Sequence, residues 1–545
     1  MADPALTPPH DPAEPLDSPA SPSSDPAASF STPGLRTEEY DEEEHLGSEE
    51  AGLLLEEGTE KAIQRVRAGS LSFDFSNRLL LQASEEREAT AGRGGRTAGA
   101  EPISLASGIA LIVGMVIGSG IFSSPGVVAQ ETGSVGGALL VWLGAGLLSW
   151  AGGSSFAELG SMLPMNGGAQ AYLSAAYGSL PSYCFSFTAV TALKPGSQAI
   201  AGEYVCRILW HTAFSSDPRA AARGVPTIAI KAVAIIGLLL ISALQAWSTK
   251  AGTRAQLVVT VFKVLAIVLV FVGGLVYLGL GRVASNFSFD GSSKSPTGYA
   301  LALFSALWTY DGFDQCNYVA RDCKPGTLPK MINTSLAMIV VLFVLANISY
   351  FLVLPFDVAT ATSTIGLDFG RALAGPVGAL LFALIVSISC LGALNSSLYT
   401  SSRLIVAAGE QGFLPRLFSD YNSRQGTPVN GILLSSALST VFIIIGDFSN
   451  LTLFYGVCAW TWNLLVVVGL LVLRVREPNL KRPYRTYLAT PILFASTALF
   501  LIVLSCFSKP WQSLAAFIFC SAGTVPYYLQ VRRSEKQATE GLEMT

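Results

Sequence analysis

Gly114-Met-Val-Ile-Gly-Ser-Gly-Ile-Phe122 sits in the middle of the first long apolar run of the chain, residues 103–128. Three glycines and a serine are poor helix formers, so this stretch invites the backbone to unwind. Unwound backbone at membrane depth survives only where it is buried in protein or lines a cavity. The freed amides of Gly118, Ser119 and Gly120 would then point at an anionic group, helped by the positive end of the half-helix that follows. The competing reading is close helix packing through Gly114 and Gly118.

A second interruption lies in the sixth apolar run: Phe304-Ser-Ala-Leu-Trp-Thr-Tyr-Asp-Gly-Phe-Asp-Gln-Cys-Asn-Tyr318. Polar residues and Gly312 break an otherwise apolar helix. Interrupted helices at matching places in two halves point to the binding site of a membrane carrier. Breaks in spans one and six imply two inverted five-helix repeats with two further helices appended. Amides freed by one break and carbonyls freed by the other suit a zwitterion, carboxylate on N–H groups and ammonium on C=O groups. That arrangement is a site for a free amino acid.

Composition frames this reading. Half of the 545 residues are apolar (51%) and only 13% are charged, about half the charge of an ordinary soluble domain. Residues 1–100 hold 20 Asp and Glu against 8 Lys and Arg, whereas residues 101–545 hold 18 against 26. An acidic tail is thus joined to an apolar, weakly basic body. This excludes a nucleic-acid binder and a secreted disulfide scaffold, and implies a polytopic protein whose partner is the lipid bilayer. The first 35 residues, rich in Pro, Ser, Ala and Asp, cannot order by burial. Residues 1–100 are read as a disordered cytoplasmic tail, either a regulatory handle or a solvated extension. No cleavable signal peptide is visible. Eight cysteines show no CxxC or zinc spacing, and the three histidines leave the body almost without metal ligands. No metal site, cofactor or catalytic residue is expected.

Runs of about 20 apolar residues number twelve: 103–128, 136–160, 181–209, 226–247, 255–280, 299–319, 329–355, 374–404, 429–446, 450–473, 488–507 and 511–530. The fold class is therefore all-α, twelve transmembrane helices with an inverted five-plus-five repeat. A ten-helix transport core would span 101–475, two additional helices 476–530, and a cytoplasmic tail 531–545. With the N-terminus inside, short inner loops hold 13 Lys and Arg and outer loops 6, so both termini are placed in the cytoplasm. Asn286 is a possible outer-loop glycosylation acceptor, and the sequon at Asn395 lies within a span and should be silent.

Charges inside spans are costly and need a reason. Lys263, in span five, has three readings: replacement of a bound sodium ion by bridging spans one, five and eight, proton coupling, or snorkelling to the inner interface. Asp311 either attracts a cationic substrate or turns away to pair with another helix. Glu203 and Arg207 are spaced to pair with each other, Lys194 stands just before Pro195, and Glu158 is expected at the cytosol. Trp308 and Trp460 are candidate gates.

Gly118-Ser-Gly-Ile-Phe122, Ala157-Glu-Leu-Gly160 with Asn166-Gly-Gly168, Thr253-Arg-Ala-Gln256 with Lys263, Trp308 to Tyr318, Ser401-Ser-Arg-Leu404, and Leu473-Arg-Val-Arg-Glu-Pro478 with Arg482-Pro483 together resemble the L-type amino acid transporters, of the amino acid–polyamine–organocation superfamily. The resemblance covers roughly residues 100–530. It implies sodium-independent L-amino acid transport by alternating access, often by exchange, at the plasma membrane. It implies a substrate site of Val116, Ile117, Gly118, Ser119, Gly120, Ser197, Ala201, Trp308, Asp311 and Gly312. There Ser119 and Gly120 amides would hold the carboxylate, and carbonyls of Val116, Trp308 and Asp311 the ammonium. Ser197 and Ala201 would line the pocket, Trp308 would gate it, and Lys263 would stand where related carriers bind sodium.

Two features depart from the family pattern. The loop after span three, Phe214-Ser-Ser-Asp-Pro218, lacks the cysteine used for a disulfide to a heavy chain, and the acidic tail is long. Both suit a stand-alone, fungal-type carrier, including related methionine permeases. The alternatives are a nutrient receptor that keeps the carrier fold and a proton-coupled amino acid or methionine permease. An enzyme is not expected, because no P-loop, HExxH or histidine-based catalytic group occurs in the spans.

Overall fold

The computed structural model describes residues 102–214, 226–285, 287–362, 364–422, 426–445 and 448–531. The expectations for the acidic tail, for Asn286 and for the cysteine-free loop after span three lie outside them. So does the expected pairing of Glu203 with Arg207, since the side chain of Arg207 is not described.

Among the described residues the chain is helical and contains no strand. The elements are α1 (Leu105–Val116), α2 (Ser124–Thr132), α3 (Val135–Met162), α4 (Ala169–Tyr177), α5 (Ser179–Thr188), α6 (Lys194–Phe214), α7 (Thr227–Trp247), α8 (Thr249–Gly279), α9 (Pro296–Thr309) and α10 (Leu328–Val353). They continue with α11 (Phe356–Ala361), α12 (Ile365–Glu410), α13 (Val429–Ile445), α14 (Phe448–Arg476), α15 (Ala489–Ser508) and α16 (Pro510–Ala522). Among the described residues seven helices are long and apolar enough to cross a membrane, and α1 and α13 are shorter apolar helices. Spans one and six fall short of that length because each is divided, and span three is divided too, its longer part α6 carrying Lys194, Glu203 and Arg207. The first parts at 117–123, the sixth ends at Thr309, and a π turn over Ala189–Leu193 separates α5 from α6.

The outer faces are those of a protein dissolved in lipid. Ile228, Leu240, Val258, Leu265, Val377 and Leu514 are all exposed. Such apolar surface is unfavourable in water and neutral in hydrocarbon. Polar residues turn inward instead. Ser, Thr and Asn side chains of α12 face the interior, where Ser389, Asn395, Ser396, Ser397, Thr400, Ser401 and Ser402 are buried. α12 runs along α6 and α10 runs along α3. Asn395 is buried too, its amide N–H donating to Gln256 Oε1 at 2.7 Å and its Oδ1 accepting from Gln245 at 2.7 Å, so its sequon is enclosed within the helix bundle.

Glu158 corrects an expectation. It is not at the cytosol but fully buried, and Arg474 binds it through Nε at 2.9 Å and Nη2 at 2.5 Å. The Thr486 amide adds a bond at 2.8 Å, and Arg482 Nε lies 3.8 Å away. Arg474 and Arg482 also bind the carbonyls of Thr486, Leu473 and Glu477. The signal missed was the Arg474–Arg482 segment itself, which folds back over the end of α3 and seals it. Positive loop residues identify a membrane face, but say nothing of which acid they neutralise.

Candidate functional site

The first break is built by local hydrogen bonding. α1 stops at Val116, and Ile117 takes the non-helical pair φ −77°, ψ 77°. The Gly118 N–H donates to Val116 O at 2.8 Å, closing a tight turn. Ser119 and Gly120 carbonyls accept from the Phe122 and Ser123 amides, both at 3.0 Å. Their carbonyls therefore point onward into the next turn, and their own N–H groups point back into the break. The Gly118 amide, expected to face a substrate, is instead committed to Val116.

Carbonyls left by the unwinding are taken up from two neighbouring helices. Lys263 on α8 donates to Gly114 O at 2.6 Å and Ile117 O at 2.7 Å. One and two turns earlier on the same face of α8, Thr260 and Gln256 donate to Ala110 O at 3.0 and 3.3 Å. From α12, Ser389 donates to Ile117 O at 2.8 Å and Gly118 O at 3.0 Å. Lys263 is only 1% exposed. This rules out snorkelling: the ammonium sits against helix ends and backbone, not against the interface. Gly392 on α12 makes room for it, since a Cβ there would lie 2.8 Å from Lys263 Cε. Gly114 likewise lacks a Cβ because Gln256 and Thr260 occupy that space. Close packing at Gly114 is thus real, but it is packing against a polar ladder. Gly118 is different: a Cβ there would meet nothing nearer than 3.6 Å.

The second break faces the first. α9 ends at Thr309, and Gly312 adopts φ +111°, a conformation that disfavours any side chain. A Cβ on Gly312 would fall 2.6 Å from Met115 Cγ, and one on Gly120 would fall 2.7 Å from Thr309 Cγ2. The two irregular segments therefore touch through their glycines.

Between them opens a cavity of about 70 Å³. Its walls include Val116, Gly118, Ser119, Gly120, Ser197, Ala201, Trp308 and Asp311. Ile117 and Gly312 are placed differently: both are buried behind the wall and shape the breaks without lining the cavity. Sequence reasoning missed Met115, Ile200, Thr309, Cys390, Ala393 and Tyr455, which also line it. Tyr455 on α14 matters most. Its hydroxyl donates to Asp311 Oδ2 at 2.7 Å, and its ring meets Trp308 edge-on at 5.2 Å between centroids. Asp311 is thus not turned away: it lines the cavity while accepting a hydrogen bond from another helix. Nothing around Tyr455 in the sequence marks it, because its partners lie almost 150 residues away. Trp460, one of the two candidate gates, is not in the wall but buried against Phe494, with ring centroids 5.8 Å apart.

This architecture can hold a small zwitterion. Ser119 and Gly120 line the cavity from one break, and the Asp311 carboxylate stands in the other. A family model described as amino acid permease matches residues 103–525. The chain belongs to the amino acid permease family. The b(0,+)-type amino acid transporter 1 of Mus musculus is 33% identical over 458 residues, 81% of this chain and 92% of that protein. The cystine/glutamate transporter of Homo sapiens is 30% identical over 431 residues, covering 78% and 84%. The large neutral amino acids transporter small subunit 2 of Mus musculus is 30% identical over 458 residues, covering 82% and 84%. The chain is accordingly a multi-pass membrane protein of an amino acid transporter family, not an enzyme.

Proposed function

We propose that this chain carries neutral L-amino acids, and cationic ones through Asp311, across a membrane by sodium-independent exchange with alternating access. The reading rests above all on the cavity between the two breaks, where Ser119, Gly120, Trp308 and Asp311 share one wall system. The Ser119 and Gly120 amides would bind the substrate carboxylate. The Val116 and Trp308 carbonyls each accept one backbone N–H, from Gly118 and Asp311, and keep a second lone pair for the ammonium. Trp308 would cover the bound amino acid.

Lys263 supports sodium independence. An ammonium already occupies the space between α1, α8 and α12 where a bound cation would otherwise neutralise freed carbonyls. The names of the relatives span neutral and acidic substrates, and the acidic side chain in this cavity argues against glutamate. The two breaks also support the ten-helix inverted-repeat core with two appended helices, twelve spans in all. The Lys and Arg bias of the short loops supports cytoplasmic termini, and the carrier would work in the plasma membrane. The cysteine-free sequence after span three favours a stand-alone carrier, without a disulfide-linked heavy chain.

Counterflow of labelled leucine, methionine and arginine into proteoliposomes of the full chain tests this. Uptake driven by internal amino acid and indifferent to sodium is expected. Uptake that requires a pH gradient would replace exchange with proton symport. Binding without flux would replace the carrier with a receptor of the same fold.

A further inference from the structure

A second buried lysine, used by nothing above, lies behind the other break. Lys194 is 7% exposed and opens α6 directly after the π turn Ala189–Leu193. The wide turn inserts a residue into the helix register, and Pro195 follows. Together they aim the side chain away from the helix toward the far side of the sixth span. There its ammonium stands 3.9 Å above the Tyr318 ring. It donates to Gln315 Oε1 at 3.5 Å and Thr400 Oγ1 at 3.4 Å.

Gln315 is the centre of this arrangement. Its amide N–H donates to Asp314 Oδ1 at 3.0 Å, while its Oε1 also accepts from Thr400 at 2.6 Å. One side-chain amide is therefore interposed between an ammonium and a carboxylate, its dipole aligned by both. The charged groups that act on Lys194 are Asp314 and Asp311, and Asp311 faces the cavity. Among the described residues the further titratable neighbours of these groups are Tyr172, Tyr318, Tyr455, Cys316 and Cys323, none of them a base, so two acids stand against one base.

We propose that Lys194 is a charge-setting positioning residue: held through Gln315 against Asp314, it cancels one of two acidic charges beneath the cavity and so decides the balance between neutral and cationic substrates. It does not line the cavity and does not touch the substrate. The proposal rests on the transport reading above. With Lys194 in place the floor carries one net negative charge, which a neutral amino acid tolerates and a cationic one welcomes. Without it the floor carries two, and a cationic side chain is held more strongly.

The test measures KM and maximal rate for labelled leucine and labelled arginine with the full chain in proteoliposomes. Where arginine flux is small, its inhibition constant against leucine replaces its KM. In Lys194→Met the arginine-to-leucine preference should rise about tenfold. Lys194→Arg should keep the wild-type ratio. Asp314→Asn alone should shift the ratio the opposite way, and Lys194→Met/Asp314→Asn should restore it. If Lys194→Met is not inserted, the Asp314→Asn single variant decides. Equal changes for both substrates, a fall in maximal rate alone, or no restoration by Asp314→Asn would make Lys194 a strut and overturn the proposal. A wild-type chain that moves neither substrate would instead overturn the transport reading, and this inference with it.

Discussion

Two buried lysines stand behind the two breaks and are held in opposite ways. Lys263 is gripped by backbone: two carbonyls at 2.6 and 2.7 Å, with a glycine opposite to admit its stem. Lys194 is held loosely, by two side chains at 3.4 and 3.5 Å and a tyrosine face at 3.9 Å. The first cation completes hydrogen bonds that an unwound helix lost, so its work is structural. The second leaves more of its charge unspent, and that charge reaches the carboxylates of the sixth span. Short bonds to backbone mark a lysine that shapes the site, and long bonds to polar side chains mark one that biases it.

The largest break in this comparison comes from Lys263→Met. It leaves the Gly114 carbonyl without its side-chain donor in a dry site, where an unsatisfied group costs about 1–3 kcal/mol, and leaves Ile117 O to Ser389 alone. Uptake should fall to background for every substrate, and melting in detergent should drop. Equal loss for leucine and arginine separates it from Lys194→Met, and a selective loss would erase the distinction between the two lysines. Next comes Glu158→Gln. Leaving Arg474 and Arg482 without their buried partner should destabilise the protein by roughly 3–5 kcal/mol, read as a lower melting temperature, while KM for the surviving protein stays put. A shifted KM would mean that this clamp communicates with the cavity.

The paired glycines give a finer contrast. Gly114→Ala forces a Cβ into Gln256 and Thr260, an overpacking worth about 1–3 kcal/mol. Gly118→Ala meets nothing closer than 3.6 Å, so stability should remain near wild type while uptake falls through the narrowed cavity wall. Similar melting for both would show that the polar ladder on α8 does not grip α1. The smallest effect belongs to Tyr455→Phe. It deletes one hydrogen bond to Asp311, worth about 1–1.5 kcal/mol, and should change KM for arginine several-fold with little change in melting.

The breaks themselves were readable from residue types. Gly-Ser-Gly within an apolar run, and Asp-Gly within another, are local statements about backbone propensity, and local structure obeys them. Lys263 was readable as an anomaly, since a lysine in the middle of Val, Leu and Ile demands a partner. One reading took it to bridge spans one and eight, but the acceptor atoms were not readable: they are a pair of main-chain carbonyls about 150 residues earlier, which have no signature in sequence. Glu158 was misplaced for the same reason, because a carboxylate at a span end looks solvated until a distant arginine segment closes over it. Trp460 looked like a gate by residue type alone, and Tyr455, one turn earlier on the same helix and turned toward Asp311, took the place beside Trp308.

By itself the sequence determined which segments enter lipid and where two of them cannot remain helical. Both follow from transfer free energy and backbone propensity, quantities each residue carries with it. Only the tertiary structure decided that the two irregular segments meet through Gly120 and Gly312, that Tyr455 closes the wall, and that Gln315 sits between Lys194 and Asp314. Those contacts join helices far apart in the chain, and their energies depend on distance and shielding from water, which exist only once the helices have packed.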